Sequence, residues 1–267
     1  MAKNPRTAHT YVVLAYKESP YLEDCVKSVL NQKYESNVVI ATSTPNKYIK
    51  DIAQKYNLKV VARPEKDRGL GAASDFNFAL TASESELITI VNHDEIYNYD
   101  YSFEVVSYYE KNKDSSIIFT RYYDIKDKET VYTSLNFTIK NFLLWPLKIS
   151  KRSKFTKRLS LRFGNPIGCP ATTFVLAHTE QPVFAPDLKA SFDYWAWEKL
   201  SKAEYAFGYI KKPLMGHRIH SESITTGALQ DNTRTKEDVI IFSKFWPKPI
   251  AIALSKIYKL SEKSNVN

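Results

Sequence analysis

Two adjacent carboxylates, Asp94 and Glu95, end the turn Asn92-His93-Asp94-Glu95, directly after the apolar run Leu87-Ile88-Thr89-Ile90-Val91. Carboxylates at the end of a buried strand are costly unless a cation compensates them. A hard divalent ion does so while bridging to a diphosphate, because Mg²⁺ takes one or two carboxylates plus phosphate oxygens. The competing reading is a solvated turn in which Asp94 caps the next helix. Asp193 follows Ser191-Phe192 and opens a helix bearing Tyr194, Trp195 and Trp197. It too has two readings, as the N-cap of that helix or as a base that takes a proton from a hydroxyl. The two are compatible, since a base at a helix N-terminus is held rigidly, although the dipole there lowers its pKa. His217-Arg218-Ile219-His220 sets two imidazoles around a guanidinium. Arginine suits bidentate recognition of a diphosphate; the histidines suit phosphate, metal or plain hydrogen-bonded structure. Gly69 and Gly71 complete neither a dinucleotide fingerprint nor a P-loop. Zinc ligation, a Ser-His-Asp triad and a reactive cysteine find no support in spacing.

The elements that must hold these groups follow from hydrophobic periodicity. Strands are expected at Tyr11–Tyr16, Val38–Ala41, Lys59–Ala62 and Leu87–Val91. Helices are expected after Ser19-Pro20, where Leu22, Cys25, Val26, Val29 and Leu30 share one face, around Tyr48–Tyr56, and from Gly69 to about Ala82. Three β-α units in series predict a parallel sheet with helices on its faces. Ligands of such sheets bind beyond the carboxyl ends of the strands, which directs attention to residues 16–18, 42–44 and 92–95. A helix at about Tyr101 to Lys111 and a strand at Ser116 to Thr120 complete this half. Beyond residue 130 the alternation breaks down. Asn136 to Phe163 reads as two short, basic, amphipathic helices, followed by the rigid loop 164–170, a strand at Ala171 to Ala177 and the helix of Asp193. A polar region from His217 to Arg234 precedes C-terminal helices. The expected organisation is one domain over 1–235, with a nucleotide-binding half at about 10–125 and an acceptor-side half at about 126–235, and a helical extension over 236–267.

The 267 residues are enough for one large α/β domain, and 43% hydrophobic with 25% charged residues is ordinary for a globular chain. Aromatics are frequent, with 18 Tyr and 14 Phe, which suits sugar rings or membrane interfaces. Cys25 lies on an apolar helix face, so a disulfide with Cys169 is not expected and a reducing compartment fits. The start lacks an apolar signal region and no run is long enough to span a bilayer, so a cytoplasmic location is expected. The net charge of +9 is concentrated between Lys140 and Arg162, where no acidic residue occurs. With Phe142, Leu143, Leu144 and Trp145 among the cations, residues 136–163 read as a patch for an anionic membrane surface. That would place the protein peripherally on the inner face of the plasma membrane. The alternative is a solvated helical pair that covers an acceptor site or a contact between copies. Nucleic acid is not expected, because no recognition motif accompanies the charge.

In order and spacing these pieces resemble the family 2 glycosyltransferases of the GT-A fold, from about Tyr11 to Ser223. Val12-Val13-Leu14-Ala15-Tyr16-Lys17-Glu18 and Ser28-Val29-Leu30-Asn31-Gln32 resemble that family's first strand and helix. Gly71 through Asn77-Phe78-Ala79-Leu80 is similar to its glycine-to-asparagine helix. Asn92-His93-Asp94-Glu95 stands at its D-x-D metal motif, Asp193 at its general base, and His217-Arg218-Ile219-His220 with Ser223 at its R-x-H-x-x-S element over the diphosphate. The likeness extends to Phe245-Trp246-Pro247-Lys248-Pro249 in the branch from Gram-positive bacteria that builds cell-surface polysaccharide. The resemblance implies an inverting transferase with an α/β fold, a mostly parallel sheet and a C-terminal helical elaboration. It implies a nucleotide-sugar donor, a divalent cation (Mn²⁺ or Mg²⁺) and a lipid-linked or oligosaccharide acceptor. Asp193 would be the base. Ala15, Tyr16, Glu18, Ser43, Thr44, Asp75, Asn77, Asn92, His93, Asp94 and Arg218 would bind the donor, and Asp94, Glu95, His217 and His220 the metal. Two positions depart from the family. Asn92 replaces the first motif Asp, leaving Asp94 as the main ligand. The base-contacting Asp and Arg are replaced by Thr42-Ser43-Thr44 and Phe76, so the base would be read by Ser43 or Thr44 with Asp75, or the donor is not a UDP-sugar. A catalytically degenerate scaffold and a nucleotidyltransferase on a similar sheet are the rival readings; a homo-oligomer is left open.

Overall fold

The apolar residues of the first half switch between period two and period 3.6, and the chain lays strand after helix accordingly. The computed structural model describes residues 8–126, 129–220 and 233–266, with 260–266 as backbone. Its elements begin β1 (His9–Leu14), α1 (Leu22–Leu30), β2 (Asn37–Thr42), α2 (Lys47–Lys55), β3 (Lys59–Ala62), α3 (Ala72–Ala79) and β4 (Leu87–Asn92). They continue with β5 (Ile96–Tyr97), α4 (Tyr101–Lys111), β6 (Ser115–Lys126), β7 (Glu129–Val131), α5 (Leu135–Leu143) and α6 (Lys154–Leu161). The last are β8 (Thr172–Val175), α7 (Phe192–Ser201), β9 (Ala206–Arg218), α8 (Thr233–Phe242) and α9 (Lys248–Val266).

One mixed sheet runs β3-β2-β1-β4-β8-β6-β9-β5, with β7 beside β6. Strands β3, β2, β1 and β4 are parallel, as the β-α units predict. The other half departs from the mostly parallel expectation. β8 lies antiparallel between β4 and β6, β9 is parallel to β6, and β5 is antiparallel to β9. Side chains of each strand alternate between two cores. Tyr11 and Val13 of β1, with Ala15 just after it, pack with Leu22, Cys25, Val26 and Val29 of α1, whereas Val12 and Leu14 join Phe76 of α3 and Trp197 of α7. Leu30, expected on the buried face of α1, is exposed at its last position.

Two features were not expected. β9 spans 13 residues, and Lys211, Lys212 and Pro213 interrupt its apolar pattern. The β6–β9 ladder absorbs that interruption as register shifts around Thr120 and Arg121. Gly216, where β9 meets β5, is forced by space: a Cβ there would lie 2.7 Å from the Tyr123 ring. The boundary placed at residue 235 falls inside α8, and Ile241, Phe242 and Ala251 of the C-terminal helices are buried in the same core as α7.

Candidate active site

Parallel pairing brings three strand ends to one edge of the sheet. Leu14 lies opposite both Ala41 and Asn92, so residues 15–18, 43–44 and 92–95 leave the sheet side by side. His93 Nδ1 meets the Leu14 carbonyl at 3.1 Å and fastens β4 to β1 there. Ala15 is buried, bonded through its N–H to Ala41, while Tyr16 and Glu18 are exposed. Asp94 caps no helix: the turn runs directly into β5, and the residue before α4 is Asp100.

The expected metal ligands separate into two pairs. Glu95 is 1% exposed and both its oxygens are committed, one to His217 Nδ1 at 2.8 Å and the other to the Arg218 backbone N–H at 3.1 Å. Burial works against a charge on His217, but the Glu95 carboxylate outweighs it and holds the pKa up to about 9. Burial likewise pushes Glu95 up, against the pull of His217. Glu95 and His217 thus satisfy one another in this arrangement. Asp94 differs. Its Oδ2 meets His220 Nε2 at 2.9 Å, but its Oδ1 is buried without a hydrogen-bond partner among the described residues. Arg218 has the complementary gap. Its guanidinium lies over Tyr21, 3.9 Å from Asp24, and among the described residues its buried Nε has no hydrogen-bond partner. Among the described residues no three acidic, His or Cys side chains form a ready cation cage. The Tyr21 ring packs against both the Arg218 guanidinium and His220, the partner of Asp94. One uncommitted carboxylate oxygen in such a setting fits a divalent ion that takes its remaining ligands from a diphosphate and water.

A second cluster surrounds Ser43 at the end of β2. Ser43 Oγ donates to Asp75 Oδ2 at 2.9 Å, and Arg63 Nη1 holds Asp75 Oδ1 at 2.7 Å. Arg63 Nη2 also binds Ser74. Thr44 is fixed between the Thr42 hydroxyl and the Lys17 N–H. Sequence reasoning paired Ser43 with Asp75 but missed Arg63, whose only signal was its place just after β3. Asn77 is spent elsewhere. Its amide exchanges two hydrogen bonds with the Phe184 backbone, at 2.8 and 3.0 Å, so it fastens α3 to a distant loop rather than reaching a ligand.

Asp193 is not the N-cap of α7, which is Ser191. One carboxylate oxygen accepts from the Tyr194 N–H at 2.7 Å and the other from Asn165 Nδ2 at 2.8 Å. Burial raises its pKa; Arg234, the two hydrogen bonds and Lys140 pull the other way. The net direction is opposite to the lowering expected from the helix dipole alone. Lys140 is a second omission. Its Nζ donates to the Tyr122 hydroxyl, and the Tyr122 ring stands edge-on to His217, 6.1 Å between centroids. Glu95, His217, Tyr122 and Lys140 thus follow one another, and the Lys140 charge is also felt at the carboxylate of Asp193. Lys157, counted with the basic patch, is fully buried, and its Nζ is bound to the carbonyls of Ala203 and Tyr205. Ser223 lies outside the described residues. Among those described, no helix is long and apolar enough to cross a membrane.

Three comparisons bear on this arrangement. The model of glycosyl transferase family 2 matches residues 10–177. The glycosyltransferase GlyG of Streptococcus pneumoniae serotype 4 is 28% identical over 122 residues, 44% of this chain; the matched part is 40% of that relative's length. Among solved structures, S. aureus TarS in complex with UDP-GlcNAc superposes with a TM-score of 0.60 at 14% identity, covering 87% of this chain and 65% of that one. The mannosyltransferase PcManGT of Pyrobaculum calidifontis, in complex with GDP-Man and Mn²⁺, does so with 0.64 at 15% identity, covering 97% and 76%. At such identities the structures speak for the fold, and they share the curled α/β sheet with flanking helices seen here. The family match takes in β1 to β8, and with it the strand ends that carry Ser43, Asp75 and Asp94: this chain belongs to glycosyl transferase family 2.

Proposed function

We propose that the protein is an inverting glycosyltransferase that moves a sugar from a nucleotide-sugar donor to a hydroxyl of a glycan acceptor. The observation that carries the reading is a pair of buried atoms, Asp94 Oδ1 and Arg218 Nε, that have no hydrogen-bond partner among the described residues. One asks for a cation and the other for an anion, which a metal-bound diphosphate supplies together. A divalent ion held by Asp94 would neutralise charge on the diphosphate as it leaves. Arg218 offers its N–H groups to the same phosphates, and the His217 imidazolium, fixed by Glu95, adds positive charge nearby. Asp193 takes the proton from the acceptor hydroxyl. The oxygen attacks the anomeric carbon from the face opposite the diphosphate, and the C–O bond to phosphate breaks with its electron pair on the leaving group. A single displacement inverts the anomeric centre.

The Ser43–Asp75–Arg63 cluster lies where the nucleobase is expected, and it supports recognition by Ser43 and Asp75, with Thr44 shaping the backbone. Ala15, Tyr16 and Glu18 line the neighbouring strand end. Similarity to GlyG and TarS, both from Gram-positive bacteria, supports a role in cell-surface glycan synthesis with a lipid-linked acceptor at the cytoplasmic face of the membrane. Thermal-shift titration with UDP, dTDP, GDP and CDP in the presence of Mn²⁺ tests the donor site. Stabilisation by one nucleotide, lost in Asp94→Ala and weakened in Ser43→Ala or Asp75→Ala, is expected. A preference for UDP that survives both Ser43→Ala and Asp75→Ala would overturn the base assignment. Absence of nucleoside diphosphate release from every sugar nucleotide would favour a degenerate scaffold instead.

A further inference from the structure

The face made by the end of α6 and the start of α9 combines unpartnered cations with exposed apolar side chains. The Arg162 guanidinium lies over the Trp246 ring, 3.9 Å from its centroid, and 5.2 Å from that of Phe163. Among the described residues it makes no hydrogen bond or ion pair. A guanidinium stacked in this way keeps its N–H edge open to phosphate. Beside it is a groove of about 220 Å³ lined by Phe155, Arg158, Leu159, Arg162 and Phe245. Arg158 is already occupied by Glu198 and the Lys244 carbonyl, so Arg162 is the free cation of the groove.

Around it Phe155 is 71% exposed and Phe163 47%. Helix α9 borders this face, its Tyr258 ring packed against Gly164 beside Phe163. It turns Ala251, Ser255 and Tyr258 inward and leaves Ile257 63% exposed. Lys256, next to it in the chain, is exposed and makes no hydrogen bond or ion pair among the described residues. A helix that buries its small residues and shows isoleucine and lysine to the outside is the reverse of one packed only on a core.

We propose that this face docks on an anionic lipid bilayer. Arg162 and Lys256 meet lipid phosphates while Phe155, Phe163 and Ile257 enter the headgroup region. Charge complementarity selects the occupant: the chain carries +9 overall, and each basic residue near an anionic leaflet adds to binding. The interleaved aromatic and aliphatic side chains favour a membrane over nucleic acid, whose phosphates would take the cations but leave the apolar groups in water. The location fits the chemistry as well. Phe163 leads through Gly164 to Asn165, which binds Asp193, and the three-residue step from Arg162 to Asn165 spans at most about 11 Å. A bilayer on this face would hold a lipid-linked acceptor beside its base. That role rests on the proposed function, whereas vesicle binding is measured without donor or acceptor and stands or falls separately from transfer.

The full chain is sedimented with vesicles of phosphatidylcholine alone and of phosphatidylcholine with an equal part of phosphatidylglycerol. It is expected to pellet with the second and stay in solution with the first. Arg162→Gln is expected to lower partitioning about fivefold, the equivalent of about 1 kcal/mol per basic residue at such a surface. The double variant Phe155→Ser/Ile257→Ser lowers it further. Lys47→Gln, on α2 and already paired with Asp51, serves as the charge-matched control and leaves binding unchanged. No pelleting with anionic vesicles, equal pelleting with neutral ones, or an equal loss in Lys47→Gln would overturn the proposal. Binding of duplex DNA instead, weakened by Arg162→Gln, would overturn it in favour of nucleic acid.

Discussion

Asp193 makes the most exacting demand on the proposed chemistry, because its neighbours must keep it both ionised and basic. Asn165 and the Tyr194 N–H hold the carboxylate in one orientation, and burial raises its proton affinity. A positioned base contributes about 10²–10⁴-fold to rate. Asp193→Asn keeps an oxygen for one of these hydrogen bonds and removes the base. A loss of that size in kcat is therefore expected, with nucleotide binding by thermal shift unchanged; full activity would remove Asp193 as the base. In the wild type, kcat should fall as pH drops through the Asp193 pKa. Because burial moves that pKa upward, the acid limb is expected at higher pH than an exposed aspartate would give. At this scale the sequence was informative wherever one residue type is costly without a partner, as at Asp94. It was silent on Arg63 and Lys140. Each acts through a partner distant in the chain, and a single lysine within a basic run carries no mark of which neighbour it will meet.

Position at the scale of elements depends on helices that local pattern assigned to the periphery. The carboxylate of Glu237 on α8 accepts the N–H groups of Lys189, Ala190 and Ser191 at 2.8 to 2.9 Å, and Asp238 accepts the Ser191 hydroxyl at 2.8 Å. That turn leads straight into α7, so a C-terminal helix fixes the entry of the segment bearing Asp193. Glu237→Ala leaves three donors of a tight turn unsatisfied, and a displacement of about 1 Å at a reacting group can cost about 100-fold. A fall in kcat of roughly ten- to a hundredfold is expected. The donor KM should stay unchanged, because the donor-side residues lie on other elements. A parallel rise in donor KM would show a general loss of structure instead. The β-α repeat of the first half was legible because each element there buries a periodic face. β9 was not, since its lysines and proline break the alternation and its partner β6 lies almost a hundred residues earlier. The role of α8 was hidden for the same reason: a glutamate that gathers backbone donors from another segment looks like any solvated helix residue.

A polar chain crosses the sheet and ties the stability of the whole molecule to pH. His9, fully buried on β1, is bonded at 2.8 Å to Ser36 on one side and at 2.8 Å to Thr89 of β4 on the other. Thr89 continues to Thr173 of β8 at 2.6 Å. Burial drives the His9 pKa down to about 3 from the ordinary 6.5. The folded pKa lies below the unfolded one, so as pH falls the unfolded chain takes up the proton first. Stability contributed by the neutral ring is complete above about pH 6.5 and is lost progressively toward pH 3. Between pH 7 and pH 5 the loss is on the order of 2 kcal/mol, at about 1.4 kcal/mol per unit of pKa difference exercised. Lys157 acts at the other end of the scale. Its folded pKa is depressed to about 8 by burial, so stability rises with pH between about 8 and the ordinary lysine value of 10.5. Comparing the wild type with His9→Gln by urea unfolding at pH 7 and pH 5 isolates this histidine from the other groups that titrate in the window, His217 among them, which both proteins share. His9→Gln should be less stable than the wild type at pH 7, having lost part of the hydrogen-bonded chain, yet lose less stability than the wild type between pH 7 and pH 5. Parallel losses in both proteins would show that the acid sensitivity arises elsewhere, for instance in the repulsion among the cations of a chain with net charge +9.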